Sequence, residues 1–530
     1  MTASDRPTVD VRAPNGGRIV LWPAMGTQRL PGLSRWSLAA VVTLAVVFLA
    51  ASVTPLNHTD LWGHLYFGRW IVEHGRLPPS DPFRPGVGVE PFLNVPWLAQ
   101  VLGYLAVNTL GLEGLVLGQA VLVTLSAAGV MLAVRGRGVP AGWATAAAAA
   151  SYLLALPVEG TIRPQLFGVV AFSATLWAAA RLPVRRHPLL WLPPLFALWA
   201  NVHGSFPMGL AVLACLAVSE TWEARAAHRT LLAACREKAV RRAWLALVAS
   251  VAGACLNPCG PYLLLAVAGF AGNGNLEGIS EWRPMVLGSL SGVLFFGSLL
   301  VTALLLRLSP RRISLLEILL FLLLATASLS AIRMMAWWAI VWPWIVAPHA
   351  AAVWLLYRRT RPAEAPGARP DRRAAFARLL AAAGVVLLAL WWSPGTFALL
   401  AGRPRAEKSI LSPDTPIALA DAMVSQRLHG RFVAPIDWAD YLVWRTGGSV
   451  EPLVHTHVHL ITPTVWGDFL HIRAGSPDWL EIADRYRLRY VVVRFAENRE
   501  LFGRAMRSPR CRLVYKDSRS AVLEIIPPPL

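Results

Sequence analysis

The polar segment from Asn57 to Trp97 carries the residues of this chain whose types and spacing could do chemistry. It begins NHTDLWGHLYFGRWIVEHGRLPPSDPFRP and leads into NVPWLAQ. Asp60 comes a few residues after an apolar run ends, and Asp81 follows a Gly-x-Leu-Pro turn. The aromatic-rich stretch between these acids predicts an amphipathic helix. A segment that only joined two membrane spans would not need these groups, so we interpret it as half of an active site on a membrane surface.

The composition of the chain supports a membrane setting for this segment. Hydrophobic residues make up 55% of the 530 residues and charged residues only 15%, with a mean hydropathy of +0.50. Soluble globular proteins carry about 25% charged residues. Apolar runs of about 18 to 22 residues recur from Trp36 to Leu400, and each is long enough to cross a hydrocarbon core. The sequence therefore predicts an α-helical polytopic membrane protein with about 11 transmembrane helices.

The net charge of +20 does not indicate nucleic-acid binding, because the basic residues cluster in short segments between the apolar runs. Examples are Arg181 to Arg186, Arg225 to Arg242 and Arg358 to Arg378. Such segments are typical of cytoplasmic loops. An odd number of spans then places the N-terminus in the cytoplasm and the C-terminal region outside. The bias toward Arg and Ala favours a bacterial source, and hence a bacterial inner (cell) membrane.

Three regions follow from this orientation. Residues 1–34 are polar and basic and are predicted to be a disordered cytoplasmic tail. Residues 35–400 form the transmembrane domain, with a first extracytoplasmic loop at 56–97. Residues 401–530 alternate helix-like and strand-like patterns and are predicted to be a small extracytoplasmic α/β domain. The stretches 97–110 and 261–270 are too short to cross and are predicted to lie along the outer membrane surface.

Unusual polar residues near the span ends all fall on the predicted outer side. Ionisable groups at membrane depth usually line a cavity or pair with each other. These residues are Asp60, His64, His74, Asp81, Arg163, Asn201, His203, Glu281, Arg283 and Arg333. Structural explanations stay open for each kind: Asp60 as a helix cap, Asp81 as a turn residue, His203 at a helix end, and the arginines as headgroup anchors.

The first loop resembles that of the GT-C glycosyltransferase superfamily, the multi-span enzymes that use polyprenyl-phosphate-linked sugars. The likeness rests on Asp60-Leu61-Trp62 after the first span, on GRWIVEHGRLPPSDPF, and on the helix that begins at Trp97. It extends less closely through RPQLF and NVHGSF. It is strongest to uncharacterised bacterial members and to the protein-mannosyltransferase and arabinosyltransferase branches. The C-terminal outside domain is similar in placement.

The resemblance implies transfer of a sugar from a polyprenyl-phosphate donor to an extracytoplasmic glycan, lipid or protein acceptor, with inversion at the anomeric carbon. Asp60 suits the base that removes the acceptor proton. Arg163, Arg283 and Arg333 suit the donor phosphate. His64, Asp81, Asn201, His203 and Glu281 are candidates to orient the substrates. Membrane lipids and the donor are the expected partners.

A metal is not firmly predicted at the first site. Many relatives carry paired acids there, whereas this chain has Thr59-Asp60, with a single acid, and Gln100 where another acid might follow. A divalent cation stays open. His455, His457 and His459 in HTHVH would share one face of a strand and could bind zinc, although a polar strand or loop face is the default interpretation.

Two other functions remain open from the sequence. A transporter or flippase of envelope glycans would place polar residues at mid-span and often show repeat symmetry. A non-catalytic membrane scaffold with a GT-C-like fold fits the single acid at Asp60. The sequence names neither the sugar nor the acceptor.

Overall fold

The computed structural model describes residues 10–12, 18–20, 35–56, 60–84, 92–159, 162–228, 230–270, 272–359 and 372–527. Near the N-terminus, strands β1 (Asp10–Arg12) and β2 (Arg18–Val20) pair antiparallel. The rest of the predicted N-terminal tail lies outside the described residues, so its disorder stays a prediction. Thr59 in the first loop also lies outside the described residues.

Helices form most of the chain between residues 35 and 401. They are α1 (Arg35–Val53), α2 (Leu61–His74), α3 (Trp97–Gly136), α4 (Ala141–Glu159), α5 (Gln165–Arg181), α6 (Pro188–Val202), α7 (Phe206–Ala227), α8 (Leu231–Arg236), α9 (Lys238–Ala254), α10 (Tyr262–Phe270), α11 (Leu290–Leu308), α12 (Leu315–Ser330), α13 (Met335–Arg359), α14 (Arg372–Trp392) and α15 (Pro394–Ala401). Their largest common core includes Phe172, Trp199, Trp337 and Trp338.

Length and composition identify the helices that can cross a membrane. Among the described residues, five segments qualify: α3, α4, α11, α14 and the stretch Ile332–Arg358 that contains α13. The apolar segments Ser37–Val53 within α1, Pro188–Val202 (α6) and Leu315–Ser330 (α12) are shorter, at 10–17 residues. The chain is therefore a helical membrane protein, while the expected count of about 11 spans stays a prediction.

Helix α3 bends sharply at Gly111, which has φ 65° and ψ −163°. Only glycine adopts this region of backbone space readily, so the glycine allows the chain to change direction. The segment before Gly111 packs on α2, and the segment after it continues toward Gly136 among α1, α4 and α5. The break predicted after residue 110 is thus present. The surface location of 97–110 and of 261–270, which contains α10, stays a prediction.

Residues 407–525 combine short helices with a five-stranded sheet. The helices are α16 (Glu407–Ile410), α17 (Ile417–Ser425), α18 (Ile436–Arg445), α19 (Pro463–Ala474), α20 (Trp479–Arg485) and α21 (Arg499–Arg507); the strands are β3 (Gly430–Val433), β4 (Val450–Pro452), β5 (Leu488–Arg494), β6 (Cys511–Lys516) and β7 (Ser520–Ile525). The strand order is β4-β3-β5-β7-β6, with parallel pairing around β3 and antiparallel pairing around β7. We call residues 407–525 the C-terminal part. Its location outside the cell stays a prediction.

The HTHVH segment does not form the expected strand. His455 and His457 lie in an irregular loop, and His459 lies in the 3-10 turn Val458–Leu460. The backbone N–H of Thr456 donates to the side chain of Asp440 at 3.1 Å instead of to a neighbouring strand. The histidines alternate with the period of a strand. The Thr456 N–H, however, donates to a side chain and is not available for pairing with a neighbouring strand.

Helix α2 of the first loop shares a hydrophobic core with the C-terminal part. Leu61, Trp62 and Leu65 are buried with Tyr441 and Leu442 of α18. The rings of Trp62 and Tyr441 meet edge-on with centroids 4.9 Å apart. This core fixes the start of α2, and therefore the position of the residue just before it, Asp60.

Two glycines let α2 approach its neighbours closely on both sides. A Cβ added to Gly63 would lie 2.3 Å from Oδ2 of Asp440 and 2.7 Å from Cε1 of His457. A Cβ added to Gly68 would lie 2.1 Å from the backbone oxygen of Gln100 in α3. An added Cβ at Gly63 would meet side chains, which can move, whereas one at Gly68 would meet backbone, which is held by its helix. A larger residue is therefore harder to accommodate at Gly68 than at Gly63.

We expect Gly68→Ala to destabilise the protein, because overpacking costs about 1–3 kcal/mol and outweighs the gain of about 1 kcal/mol in helix propensity. The matched control is Gly118→Ala in α3, where an added Cβ meets nothing within 4 Å. The control should leave the thermal unfolding midpoint in detergent unchanged or raise it, whereas Gly68→Ala should lower it. A raised midpoint for Gly68→Ala would show that the close approach of α2 to α3 is absent.

Candidate functional site

Four charged side chains from four separate connections meet at one end of the helices. Arg163 Nε donates to Asp60 Oδ1 at 3.1 Å, and Arg163 Nη1 donates to Glu281 Oε2. Arg333 Nη1 donates to the other Glu281 oxygen, Oε1, at 3.2 Å. The four side chains are between 18% and 28% exposed, so they remain open to a ligand. We call these four residues the ionic cluster.

The turns that carry Glu281 and Arg333 are tied together by their backbones. Ile332 N–H donates to Arg283 O at 3.0 Å, and Met285 N–H donates to Leu329 O at 2.9 Å. The guanidinium of Arg333 lies 4.4 Å from the centre of the Trp282 ring, a cation–π contact. Its Nη2 also reaches Gln165 Oε1 at 3.4 Å. These contacts hold the plane of the Arg333 guanidinium in one orientation.

Asp60 is held as a carboxylate by its partners. Burial alone would raise the pKa of Asp60, but the Arg163 guanidinium and the nearby His64 outweigh it and keep the pKa well below its usual range. The Asp60 side chain makes no capping hydrogen bond to α2. The explanation of Asp60 as a helix cap therefore does not fit the geometry.

His64 connects the ionic cluster to two neutral groups. Its Nε2 lies 3.8 Å from Asp60 Oδ2, one helical turn earlier. Its Nδ1 lies 3.2 Å from Gln100 Nε2 and 3.3 Å from His457 Nε2. Gln100 in turn accepts a bond from Asn94 at 2.7 Å. Gln100 occupies the position where a second acid might have followed, and its buried side-chain amide belongs to a hydrogen-bond network.

Asp81 joins the first loop to the C-terminal part through a buried pair. Its Oδ2 lies 2.8 Å from His455 Nε2, and the two side chains are 1% and 0% exposed. Its Oδ1 accepts the N–H of Phe83 at 3.0 Å. Burial would raise the pKa of Asp81, but His455 and the Phe83 N–H lower it overall. The geometry is that of a structural link, and a substrate-orienting role for Asp81 stays a prediction.

Of the remaining histidines of HTHVH, His457 is buried and His459 is half-buried, and both are uncharged near neutral pH. Burial, reinforced by neighbouring histidines, lowers the pKa of His457 well below its usual value and that of His459 to about 4. Burial also raises the pKa of Asp440 to about 6. Asp440 Oδ2 lies 4.0 Å from His457 Nδ1. Near neutral pH this interface between α2 and the C-terminal part therefore combines uncharged imidazoles with the carboxylates of Asp81 and Asp440.

The two candidate metal positions are the ionic cluster and the histidines of HTHVH. Within the described ranges, no group of three or more His, Cys, Asp or Glu side chains is arranged to hold a metal ion. His455 and His457 are directed at Asp81 and His64 instead. In the ionic cluster, Arg163 already bridges the two carboxylates, so a guanidinium supplies the positive charge between them.

The other predicted site residues occupy different positions. Asn201 accepts from Trp97 Nε1 at 2.7 Å and donates to Leu256 O at 2.8 Å, so it fastens the end of α6 to its neighbours. His203 Nδ1 lies 2.7 Å from Ser205 Oγ before α7. The Arg283 side chain is exposed and forms no ion pair with the described residues. The structure thus gathers Asp60, His64, Arg163, Glu281 and Arg333, but not Arg283 or Asn201.

Sequence reasoning missed several members of this region. Gln165, Trp282 and Asp440 were not singled out, although each contacts a predicted site residue. Gln165 and Trp282 are sequence neighbours of Arg163 and Glu281, which was an available signal. Asp440 gave none, because its proximity arises only from the packing of α18 on α2.

We expect acidification to weaken the interface that contains His459. Its pKa falls from 6.5 to about 4 on folding, so between these values the unfolded chain binds more protons and stability is lost as pH falls. Thermal unfolding in detergent would be compared at about pH 7.5 and about pH 5. His459→Gln should lose less stability than the unchanged protein over this interval, since the other titrating groups are common to both.

The control for this experiment is His471→Gln, whose side chain is 64% exposed and should follow the unchanged protein. Equal losses for His459→Gln and the unchanged protein would contradict the assignment of a neutral His459.

The architecture is similar to that of solved glycosyltransferases. The apo oligosaccharyltransferase of Archaeoglobus fulgidus matches with a TM-score of 0.55 and 14% identity, covering 87% of this chain and 70% of that one. The same archaeal enzyme, AglB, in complex with an inhibitory peptide and a dolichol-phosphate, matches with a TM-score of 0.55, 13% identity and coverages of 87% and 69%. The arabinofuranosyltransferase AftD from Mycobacteria matches with a TM-score of 0.52 and 18% identity, over 95% of this chain but 41% of that one.

No protein-family model and no curated protein matches the chain by sequence. At identities this low, structural similarity demonstrates the fold and leaves the activity to be argued from the site. The resemblance of the first loop and the match of the whole helical body agree. The chain has the fold of the GT-C glycosyltransferases.

Proposed function

We propose that this chain is a membrane glycosyltransferase that moves a sugar from a polyprenyl-phosphate donor to an extracytoplasmic acceptor. The observation that carries the proposal is the ionic cluster, which places the carboxylates of Asp60 and Glu281 beside two arginines in a partly open site. Such a transfer needs a proton acceptor at the acceptor hydroxyl and cations at the leaving phosphate. A transporter would be expected to carry its polar groups at mid-span, whereas these lie in connections at helix ends.

Asp60 is proposed as the general base. The acceptor oxygen attacks the anomeric carbon while its proton passes to the Asp60 carboxylate. The bond from that carbon to the phosphate oxygen breaks, and the lipid phosphate leaves with the bonding electrons and one additional negative charge. Attack from the side opposite the leaving group would invert the configuration at the anomeric carbon.

Arg163 and Arg333 are proposed to bind the phosphate. A guanidinium has five N–H donors, and the ion pairs described here use only part of them. The free N–H groups can bond phosphate oxygens, and these bonds strengthen as the phosphate gains charge. The contact with Trp282 keeps the Arg333 fork in place for this role. Arg283, exposed at the edge, is the third predicted phosphate ligand.

Donor binding is proposed to activate the base. While Arg163 is paired with Asp60, the low pKa of Asp60 makes it a weak proton acceptor. A phosphate that attracts Arg163 would weaken this pairing, and the pKa of Asp60 would rise toward its usual range. The carboxylate would then become a stronger base only when the donor is present. Glu281, bonded to both arginines, would keep them within reach of the phosphate.

The location of the reaction follows from the charge distribution. We place the ionic cluster and the region 401–530 on the outer side of a bacterial inner membrane, because the basic segments between spans are typical of cytoplasmic loops. The acceptor would be a glycan, lipid or protein of the cell envelope. The C-terminal part packs against the helix that begins directly after Asp60, so it can contribute to acceptor binding.

We expect Asp60→Asn to reduce transfer about 10²–10⁴-fold, the usual effect of losing a general base. The control is Glu73→Gln on the same helix, whose side chain is 46% exposed and pairs with Arg69 away from the ionic cluster. The assay is transfer of labelled sugar from a polyprenyl-phosphate donor in membranes that contain equal amounts of folded protein. Near-normal transfer by Asp60→Asn would refute its role as the base.

A further inference from the structure

A groove with a strongly basic end lies between the start of α6 and helix α9. Its volume is about 620 Å³. Four basic side chains line it: Arg186, Lys238, Arg241 and Arg242. We call this site the basic groove. It is separate from the ionic cluster, and the proposed transfer reaction does not use it.

The four cations of the basic groove lack acidic partners. None of them forms an ion pair with the residues that the structure describes, and no acidic residue lines the groove. Arg242 Nη1 donates to the carbonyl of Pro183 at 3.0 Å. The acid next to Lys238 in the chain, Glu237, lies 2.9 Å from His228 instead. Neighbouring charges of like sign repel, so an anion in the groove would be stabilising.

The face of α9 that lines the groove changes from basic to apolar along its length. Lys238, Arg241 and Arg242 occupy the first turns, and Leu245 and Val248 follow at spacings of three and four residues. Lys238 and Val248 are thus about 15 Å apart along the helix. Leu245 is 55% and Val248 63% exposed. A charged end that continues into an exposed apolar wall matches the shape of a lipid.

The position of the basic groove along the helices also suits a lipid. Helix α5 begins at Gln165, which contacts Arg333 of the ionic cluster, and ends at Arg181. Pro183, two residues later, accepts the bond from Arg242 of the groove. The length of α5 is about 25 Å, close to the thickness of a hydrocarbon core. The basic groove and the ionic cluster therefore lie at opposite ends of the helical body.

We propose that the basic groove binds an anionic glycerophospholipid of the membrane leaflet opposite to the ionic cluster. The phosphate would lie among the four cations and an acyl chain along Leu245 and Val248. Charge complementarity selects an anionic headgroup, since basic pockets between membrane helices bind such groups. A free phosphate would leave the apolar wall uncovered, and the membrane supplies the lipid at this depth.

The test is native mass spectrometry of the full chain, released from nanodiscs that contain equal amounts of phosphatidylglycerol and phosphatidylcholine. We expect phosphatidylglycerol to be retained selectively. The double variant Lys238→Gln/Arg241→Gln should bind it roughly 30-fold more weakly, since each basic residue near the headgroup contributes about one kcal/mol. The matched control is Arg185→Gln/Arg236→Gln, which removes the same charge from exposed residues that do not line the groove.

Three outcomes would overturn the proposal. The first is equal retention of both lipids by the unchanged protein, a result that does not depend on whether any variant folds. The second is equal loss of lipid in the two double variants, which would indicate general attraction to positive charge. The third is displacement of phosphatidylglycerol by inorganic phosphate at equal concentration, which would indicate a phosphate site without a lipid.

Discussion

Arg163 bridges two carboxylates, Asp60 and Glu281, and the arrangement of the helix ends depends on this contact. The three charges are only partly exposed, so each needs a partner of opposite sign. The starts of α2 and α5 and the turns before α11 and α13 must therefore meet at one end of the helical body. The same contact sets the ionisation of the proposed base.

The C-terminal part positions this site although it contributes no residue to the ionic cluster. Asp60 directly precedes α2, and α2 is fixed by Trp62 against Tyr441 and by the close approach of Gly63 to Asp440. The buried link between Asp81 and His455 holds the far end of the same loop. None of these contacts uses Arg163 or Arg333, so the loop is oriented without competition for the two arginines. Catalytic geometry and the packing of the C-terminal part are thus coupled through one short helix.

Hydropathy alone predicted a helical membrane body, and alternating helix-like and strand-like patterns predicted both helices and strands within residues 401–530. Residue type and position near span ends also selected Asp60, Arg163 and Glu281 as site candidates. The pairing itself could not be predicted, because Arg163 lies 103 residues from Asp60 and 118 from Glu281 in sequence. Of the two interpretations left open at HTHVH, the structure shows the loop and not the strand, because the Thr456 N–H donates to the Asp440 side chain, a contact that only the tertiary structure supplies. Arg283 has the same residue type as Arg163 and Arg333, yet its side chain is exposed and forms no ion pair with the described residues.

A double-mutant cycle on sugar transfer tests most directly the central claim, that Asp60 and Arg163 are coupled through their ion pair. The rates of Asp60→Asn, Arg163→Gln and the double variant would be compared with that of the unchanged protein. If the two residues work as one unit, the double variant should be little slower than Asp60→Asn, with a coupling energy above about 1 kcal/mol. If the two rate losses simply multiply, the residues act independently and the account of the ionic cluster is wrong.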